Sequence, residues 1–251
     1  MNMIRVECQD DVAVVQLNRP VINALNLQLV EELTEILKRV TSESDVRSLV
    51  LGSSNDKFLS IGFDIPQLFE LTREDFKFFY HTFNQMCLDL YTFPKPTIAA
   101  ITGHATAGGC ILALCCDYRF IAQGRKLMGL NEIKLGVPVP YLVDCVLRHL
   151  VGVRNAREIT DTGEFYPPEE LSQMGVVDRV LPLERVLPES IEKAGSLGAW
   201  LQESFAMIKR NRVESVKERV LAHLEEREQF FVERWYSDQA RERLQEAMKR
   251  F

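Results

Sequence analysis

The sequence predicts an α/β fold in which helices cross between strands, followed by a C-terminal region built only of helices. Three observations carry this. Strand-like and helix-like periodicities alternate along the first two-thirds of the chain. Glycines punctuate the passages from strand to helix at 58–65 and 103–110. Over 197–251 proline is absent, Gly198 is the one glycine, and apolar residues fall at helical spacing amid dense mixed charge.

The elements follow in order. Residues 3–8 and 12–17 read as two short strands joined at Asp10-Asp11, a hairpin-like start. Leu27, Leu29, Val30, Leu33, Ile36, Leu37 and Val40 mark an amphipathic helix over 27–40, and Val46 to Leu51 a buried strand. A long helix fits 74–92, with Phe76, Phe79, Tyr80 and Phe83 on its apolar side, until Pro94 and Pro96 break it. That aromatic stripe suits core packing better than an acyl channel, because such stripes at helical spacing are usually core. Thr97 to Thr102 is strand-like, Gly108 to Leu114 helical, and Tyr118 to Ala122 strand-like again. Helical patterns occupy 139–151, 153–162 and 168–174, and Val176–Val180 reads as a short strand. The tail, with Phe230, Phe231, Trp235, Leu244 and Met248, is too apolar to float free and is expected to pack on the domain or on another subunit. This divides the chain into a core over 1–196 and a helical region over 197–251.

Composition restricts the function classes. With 251 residues, 46% hydrophobic and 26% charged, the chain can bury a sizeable core. A net charge of −6 makes nucleic acid a poor default partner. The six cysteines form no CxxC pair and the four histidines no HExxH pattern, so buried free thiols are expected and no metal site. No apolar run reaches membrane-spanning length, and the first residues resemble neither a signal nor a transit peptide. A cytoplasmic or already processed protein, away from membranes, is the expectation.

Three segments carry the chemistry. Phe58-Leu-Ser-Ile-Gly-Phe-Asp-Ile (58–65) places a glycine before a helical pattern, where the backbone can approach a ligand and helix-start N–H groups are unpaired. Gly103-His-Ala-Thr-Ala-Gly-Gly-Cys (103–110) sets paired glycines at another helix start without matching a P-loop or GxGxxG. Taken singly, each is more often an ordinary turn. In Gly129-Leu-Asn-Glu-Ile-Lys-Leu-Gly (129–136), Glu132 stands between apolar residues near a helix start, as a base or simply as a carboxylate favourable to the helix dipole. His104 has no evident proton-transfer task, and Asp64 suits a helix cap.

The order of these segments, with Leu17-Asn-Arg-Pro, Asn23-Ala-Leu-Asn, Pro94-Lys-Pro-Thr-Ile-Ala-Ala-Ile-Thr-Gly, Cys116-Asp-Tyr-Arg and Gly175-Val-Val-Asp-Arg-Val, resembles the crotonase (enoyl-CoA hydratase/isomerase) superfamily over nearly the whole chain. The resemblance implies a ββα spiral core with a C-terminal helical trimerisation region, and a homotrimer or hexamer. It implies an acyl-CoA thioester as substrate, with coenzyme A part of that substrate and no separate cofactor. It also implies an oxyanion hole of two backbone N–H groups, by position Phe63 and Gly108, a catalytic Glu132, and substrate contacts at Ala24, Ile61, Gly62, Ile65, Gly109 and Ile111. Hydratases of the family use two glutamates; here the first of those positions is Ile111, which cannot transfer a proton, and the second is Glu132.

One carboxylate suffices to move a double bond, taking a proton from C2 of a 3-enoyl thioester and returning it to C4. The stretch Leu135-Gly-Val-Pro-Val-Pro-Tyr-Leu is similar to the mitochondrial-type 3,2-enoyl-CoA isomerases of that superfamily. Apolar packing there is expected to raise the Glu132 pKa and exclude water. Ile61 and Phe63 are bulkier than the small residues usual in the oxyanion turn, and Val21 stands where many relatives carry a basic residue near the CoA phosphates. Arg125, Lys126 and Lys134 are nearby cations better suited to solvated surface roles. Hydration, thioester hydrolysis and decarboxylation remain alternatives within the fold, and a non-catalytic acyl-CoA-binding protein and an RNA-binding protein are the alternatives outside enzymology.

Overall fold

A computed structural model of the protein describes residues 3–20 and 22–249. The chain opens with β1 (Ile4–Gln9) and β2 (Val12–Leu17), an antiparallel hairpin whose turn puts Asp10 at φ 54°. Helix α1 (Leu27–Ser42) follows, capped by the Asn26 side chain accepting from the Leu29 N–H, with every residue of its predicted apolar stripe except Leu27 buried. Three turns of one motif come next, each a strand in a large sheet, a strand in a small one, then a helix. The first is β3 (Ser48–Ser53), β4 (Phe58–Ser60) and α2 (Ile65–Phe69), extended by α3 (Arg73–Tyr91). The second is β5 (Thr97–Ile101), β6 (His104–Thr106) and α4 (Gly108–Leu114). The third is β7 (Tyr118–Ala122), β8 (Met128–Gly129) and α5 (Glu132–Leu135). The chain finishes through α6 (Tyr141–Thr162), α7 (Pro168–Met174), β9 (Arg179–Leu181), α8 (Leu183–Gly198), α9 (Gln202–Trp235) and α10 (Asp238–Met248).

The large sheet has the order β1-β2-β3-β5-β7-β9 and the small one β4-β6-β8; apart from the opening hairpin, all pairings are parallel. Such an arrangement needs crossovers, which the helices supply, and it stacks the three helix starts α2, α4 and α5 beyond the ends of the small sheet's strands. Alternate residues of the large sheet serve two cores. Ala13, Val15, Leu49, Leu51, Ala99 and Ile101 join the main core with α1 and α3, whereas Val12, Val14, Val50, Ile98, Ala100 and Phe120 pack against α8. With both faces covered, the strands read as continuous apolar runs rather than alternating ones.

The structure sharpens several sequence expectations. The break between 151 and 153 is real: Gly152 sits at φ 74° within α6, where only glycine turns left-handed cheaply. The strand expected at 46–51 runs two residues later, because the buried Lys95 ammonium takes the Val46 carbonyl, along with those of Val40 and Glu43, to cap α1. The strand expected at 176–180 is shortened to β9, since Gly175 caps α7 and Val176 gives its carbonyl to the Arg119 guanidinium. Nothing in the sequence reading assigned α8, which runs across position 196 and ends at Gly198. The tail is helical as expected, and α9 docks on α3 through Glu228, which receives the Asn84 amide at 3.0 Å and meets His81 Nδ1 at 3.0 Å. All six cysteines are free, and all but the exposed Cys8 are buried. Among the described residues no helix is long and apolar enough to cross a membrane.

Candidate active site

The first wall of the site is the turn between β4 and α2. Asn23, held at φ 49°, donates its side-chain amide to Ser53 Oγ and to the Phe58 and Leu59 carbonyls. Ser60 Oγ donates to the Asn23 carbonyl at 2.7 Å and accepts the Gly62 N–H at 3.0 Å. Asp64 caps α2 by accepting from the Gln67 N–H and is ion-paired with Arg19. These bonds fix the backbone on both sides of Phe63, and the Leu25 N–H takes the Gly62 carbonyl while the Asp64 N–H takes that of Leu25. The Phe63 N–H is left without an acceptor among the described residues. Its ring, bulky for such a turn, is anchored edge-on to Phe79 at 5.0 Å and Phe83 at 4.9 Å, so the aromatic stripe of α3 serves as core packing that holds the turn.

The second wall is the start of α4. Ala107 adopts φ 48° and ψ −119°, and its N–H is tied to the Gly129 carbonyl at 2.9 Å, which couples this turn to the third. Gly108 then opens the helix with an N–H that has no intrahelical acceptor and no other among the described residues. Gly62 and Gly108 touch: a Cβ on Gly62 would lie 2.7 Å from the Gly108 nitrogen, and one on Gly108 would lie 2.7 Å from Leu25 Cδ1. The sequence therefore brings two free donors together by having no side chain where the turns meet.

Glu132 is the first residue of α5, with Val137 N–H returning to its carbonyl at 3.2 Å across the Gly136 turn. It is 6% exposed, and its Oε2 has no hydrogen-bond partner among the described residues. Burial pushes its pKa up to about 7, against the backbone N–H groups of Glu132 and Asn131, which pull it down. A buried carboxylate that titrates near neutrality is suited to exchange a proton with a bound molecule.

These groups meet in one cavity of about 660 Å³. Its lining includes Ile61, Phe63, Ile65, Gly108, Ile111 and Glu132, so six of the nine residues expected from the sequence share it. Ala24, Gly62 and Gly109 are not among its lining residues. Ala24 receives the Arg19 guanidinium on its carbonyl, Gly62 backs Gly108, and Gly109 presses on β4, where a Cβ would stand 2.2 Å from the Ser60 oxygen. Ile111 faces the cavity, as a side chain one turn into α4 should. Val21 lies outside the described residues. Lys126 bonds the Asp56 carbonyl away from the cavity, while Lys134 lines its edge and pairs with Glu164 at 2.6 Å. His104 accepts the Leu127 N–H on Nδ1, a structural bond.

Sequence reasoning missed the last wall. Phe231 and Trp235 from α9, and Arg243, Glu246 and Ala247 from α10, close the cavity. Only the apolar spacing of the tail hinted at this, and spacing states that a face is buried without stating against what.

Comparisons with known proteins address the family and the fold. The family model described as enoyl-CoA hydratase/isomerase matches residues 7–251. The mouse mitochondrial enoyl-CoA delta isomerase 1 is 32% identical over 73% of this chain; the match spans 64% of that relative, and that to the human protein 58%, about three-fifths of their length. The crotonyl-CoA hydratase of Syntrophomonas wolfei is 31% identical over 77% of this chain and 75% of its own. The crystal structure of human mitochondrial delta3-delta2-enoyl-CoA isomerase superposes with a TM-score of 0.95, at 27% identity, over 99% of this chain and 98% of that one. Motif order, the spiral of strand, strand and helix, and these matches lead to one conclusion: the chain belongs to the enoyl-CoA hydratase/isomerase family and has the crotonase fold.

Proposed function

We propose that the protein shifts the double bond of a 3-enoyl-CoA to the 2-position, with Glu132 as the proton-carrying base and the Phe63 and Gly108 N–H groups as the oxyanion hole. The carrying observation is that one buried carboxylate with an oxygen unpartnered among the described residues shares a cavity with two N–H groups likewise unpartnered, while Ile111, which the resemblance aligns with the second glutamate of hydratases, lines the same cavity. The thioester oxygen accepts both N–H groups. Glu132 takes a proton from C2, the electron pair moves into the dienolate and onto that oxygen, and two fixed donors offset the developing charge without reorganising. The same carboxyl returns the proton to C4, leaving the double bond between C2 and C3. Atoms and charge balance with no cofactor beyond the coenzyme A that the substrate carries.

A hydratase reading is supported by relatives of that name that are as similar to this chain as the isomerases, among them the crotonyl-CoA hydratase of S. wolfei at 31% identity and the probable enoyl-CoA hydratase of Bacillus subtilis at 34%. Two assays on wild type and Glu132→Gln separate the readings: conversion of 3-hexenoyl-CoA to the conjugated 2-enoyl-CoA, and hydration of crotonyl-CoA. The isomerase reading expects the first to dominate and to be lost in the variant; dominant hydration overturns it. Exposed Trp200, Leu201, Met207 and Ile208 near the start of α9 support self-association as a trimer or hexamer, which light scattering checks.

A further inference from the structure

A second cavity of about 690 Å³ lies beside the first, and the two share Phe231 and Val137 in their walls. The first cavity has a direction. Lys134, Arg243 and Glu246 at its edge are exposed, whereas Val137, Phe231 and Trp235 are buried. A chain entering from the exposed side therefore ends against Phe231 and Val137.

We propose that Phe231, with Val137, sets the length of the acyl chain the site accepts: the Phe231 ring and the Val137 side chain form the partition that closes the acyl cavity, and the space beyond is reached only when one of the two is cut back. The ring is held firmly. It stacks on Tyr80 with centroids 4.0 Å apart and planes inclined by 13°, and Tyr80 itself lines the second cavity. Phe76 and Trp235 flank it, each at 6.4 Å. Turning it aside would break this stack within a close-packed core. Val137 completes the partition from the other side and is tied to Glu132 by its N–H, so the two halves of the wall come from separate elements. Pro138 and Val139 offer an alkyl end apolar surface in the far cavity, whose remaining wall carries the Asp144–Arg148 ion pair and Arg219. The substrate class is accordingly short- and medium-chain thioesters.

This inference rests on the acyl-CoA reading of the site but not on the reaction assigned to it, so the test uses saturated thioesters, which have no double bond to move. Calorimetric titration measures hexanoyl-CoA and dodecanoyl-CoA binding to wild type, Phe231→Ala and Val137→Ala, and the ratio of the two dissociation constants cancels any general loss of affinity. Each methylene moved from water into apolar space contributes a factor of about four, so joining the cavities should raise the preference for dodecanoyl-CoA roughly tenfold or more in both variants. If Phe231→Ala does not fold, Val137→Ala carries the test alone. An unchanged ratio in folded variants overturns the proposal, as does a wild type that already gains about fourfold for every added methylene. Wild type that binds neither thioester removes this inference together with the acyl-CoA reading; length-limited binding without isomerisation upholds the partition and removes only the reaction.

Discussion

Gly62 and Gly108 stand back to back, so close that a Cβ on Gly108 would lie 2.9 Å from the Gly62 Cα. That contact is what lets two chain segments more than forty residues apart present their free N–H groups to one cavity.

Gly108→Ala tests the contact. The added carbon must push away Leu25 Cδ1 at 2.7 Å as well as the Gly62 backbone, so the turns separate and one donor leaves its place. Turnover should fall by about two to three powers of ten, the usual effect of losing one oxyanion donor, with far-UV circular dichroism unchanged. Steady-state kinetics on 3-hexenoyl-CoA check it.

Glu132 must be deprotonated to act as base. With its pKa pushed up to about 7 by burial, kcat/KM should rise roughly tenfold per pH unit below that value and level off above it. A pH profile of the isomerisation is the measurement. Glu132→Gln should abolish the dependence along with the activity, and a wild-type profile that is flat between pH 5 and 8 would contradict the assignment.

The same group sets a stability trend. Its folded pKa of about 7 lies above the ordinary carboxylate value, so the native state binds the extra proton. The stability it contributes is complete below the unfolded pKa, and it is lost as pH rises through about 7. Between pH 5 and 8 wild type should lose on the order of 2 kcal/mol that Glu132→Gln does not lose. Urea unfolding of both proteins at the two pH values checks the sign and the size.

Ile111 offers a gain of function. It faces the cavity from α4 and is 1% exposed. Ile111→Glu supplies a second carboxyl, and the ratio of crotonyl-CoA hydration to 3-hexenoyl-CoA isomerisation should rise by about tenfold or more, since a positioned acid–base group contributes two to four powers of ten. Burial of the new carboxyl should also lower thermal stability. An unchanged ratio in a folded variant would mean that this position does not face the reacting carbons.

Much of this was legible in the sequence because the relevant signals are local. The stripe of α1, the break at Gly152 and the three glycine-bearing turns each follow from periodicity or backbone freedom within a few residues. So does the capping role of Asp64. The motif order supplied the expectation that distant turns converge, and six of the nine expected residues do line one cavity. What stayed hidden depends on contacts through space. Helix α8 covers the outer face of the large sheet, but its amphipathic pattern, interrupted by Pro188, does not say which surface it covers. Asn23 and Ser60 brace the turn that carries Phe63 by hydrogen bonds across 30 to 37 residues of sequence. Phe231 and Trp235 look in sequence like any buried face of a helix.

The cavity wall formed by α9 and α10 also has a meaning in time. The turns at Phe63 and Gly108 and the start of α5 at Glu132 leave the ribosome first, whereas Phe231, Trp235 and Ala247 follow Glu132 by about a hundred residues. Until α9 and α10 pack, the cavity lacks the wall that these residues supply. Docking of the C-terminal helices and completion of the cavity are therefore one event, and the same residues that finish the core finish the chamber.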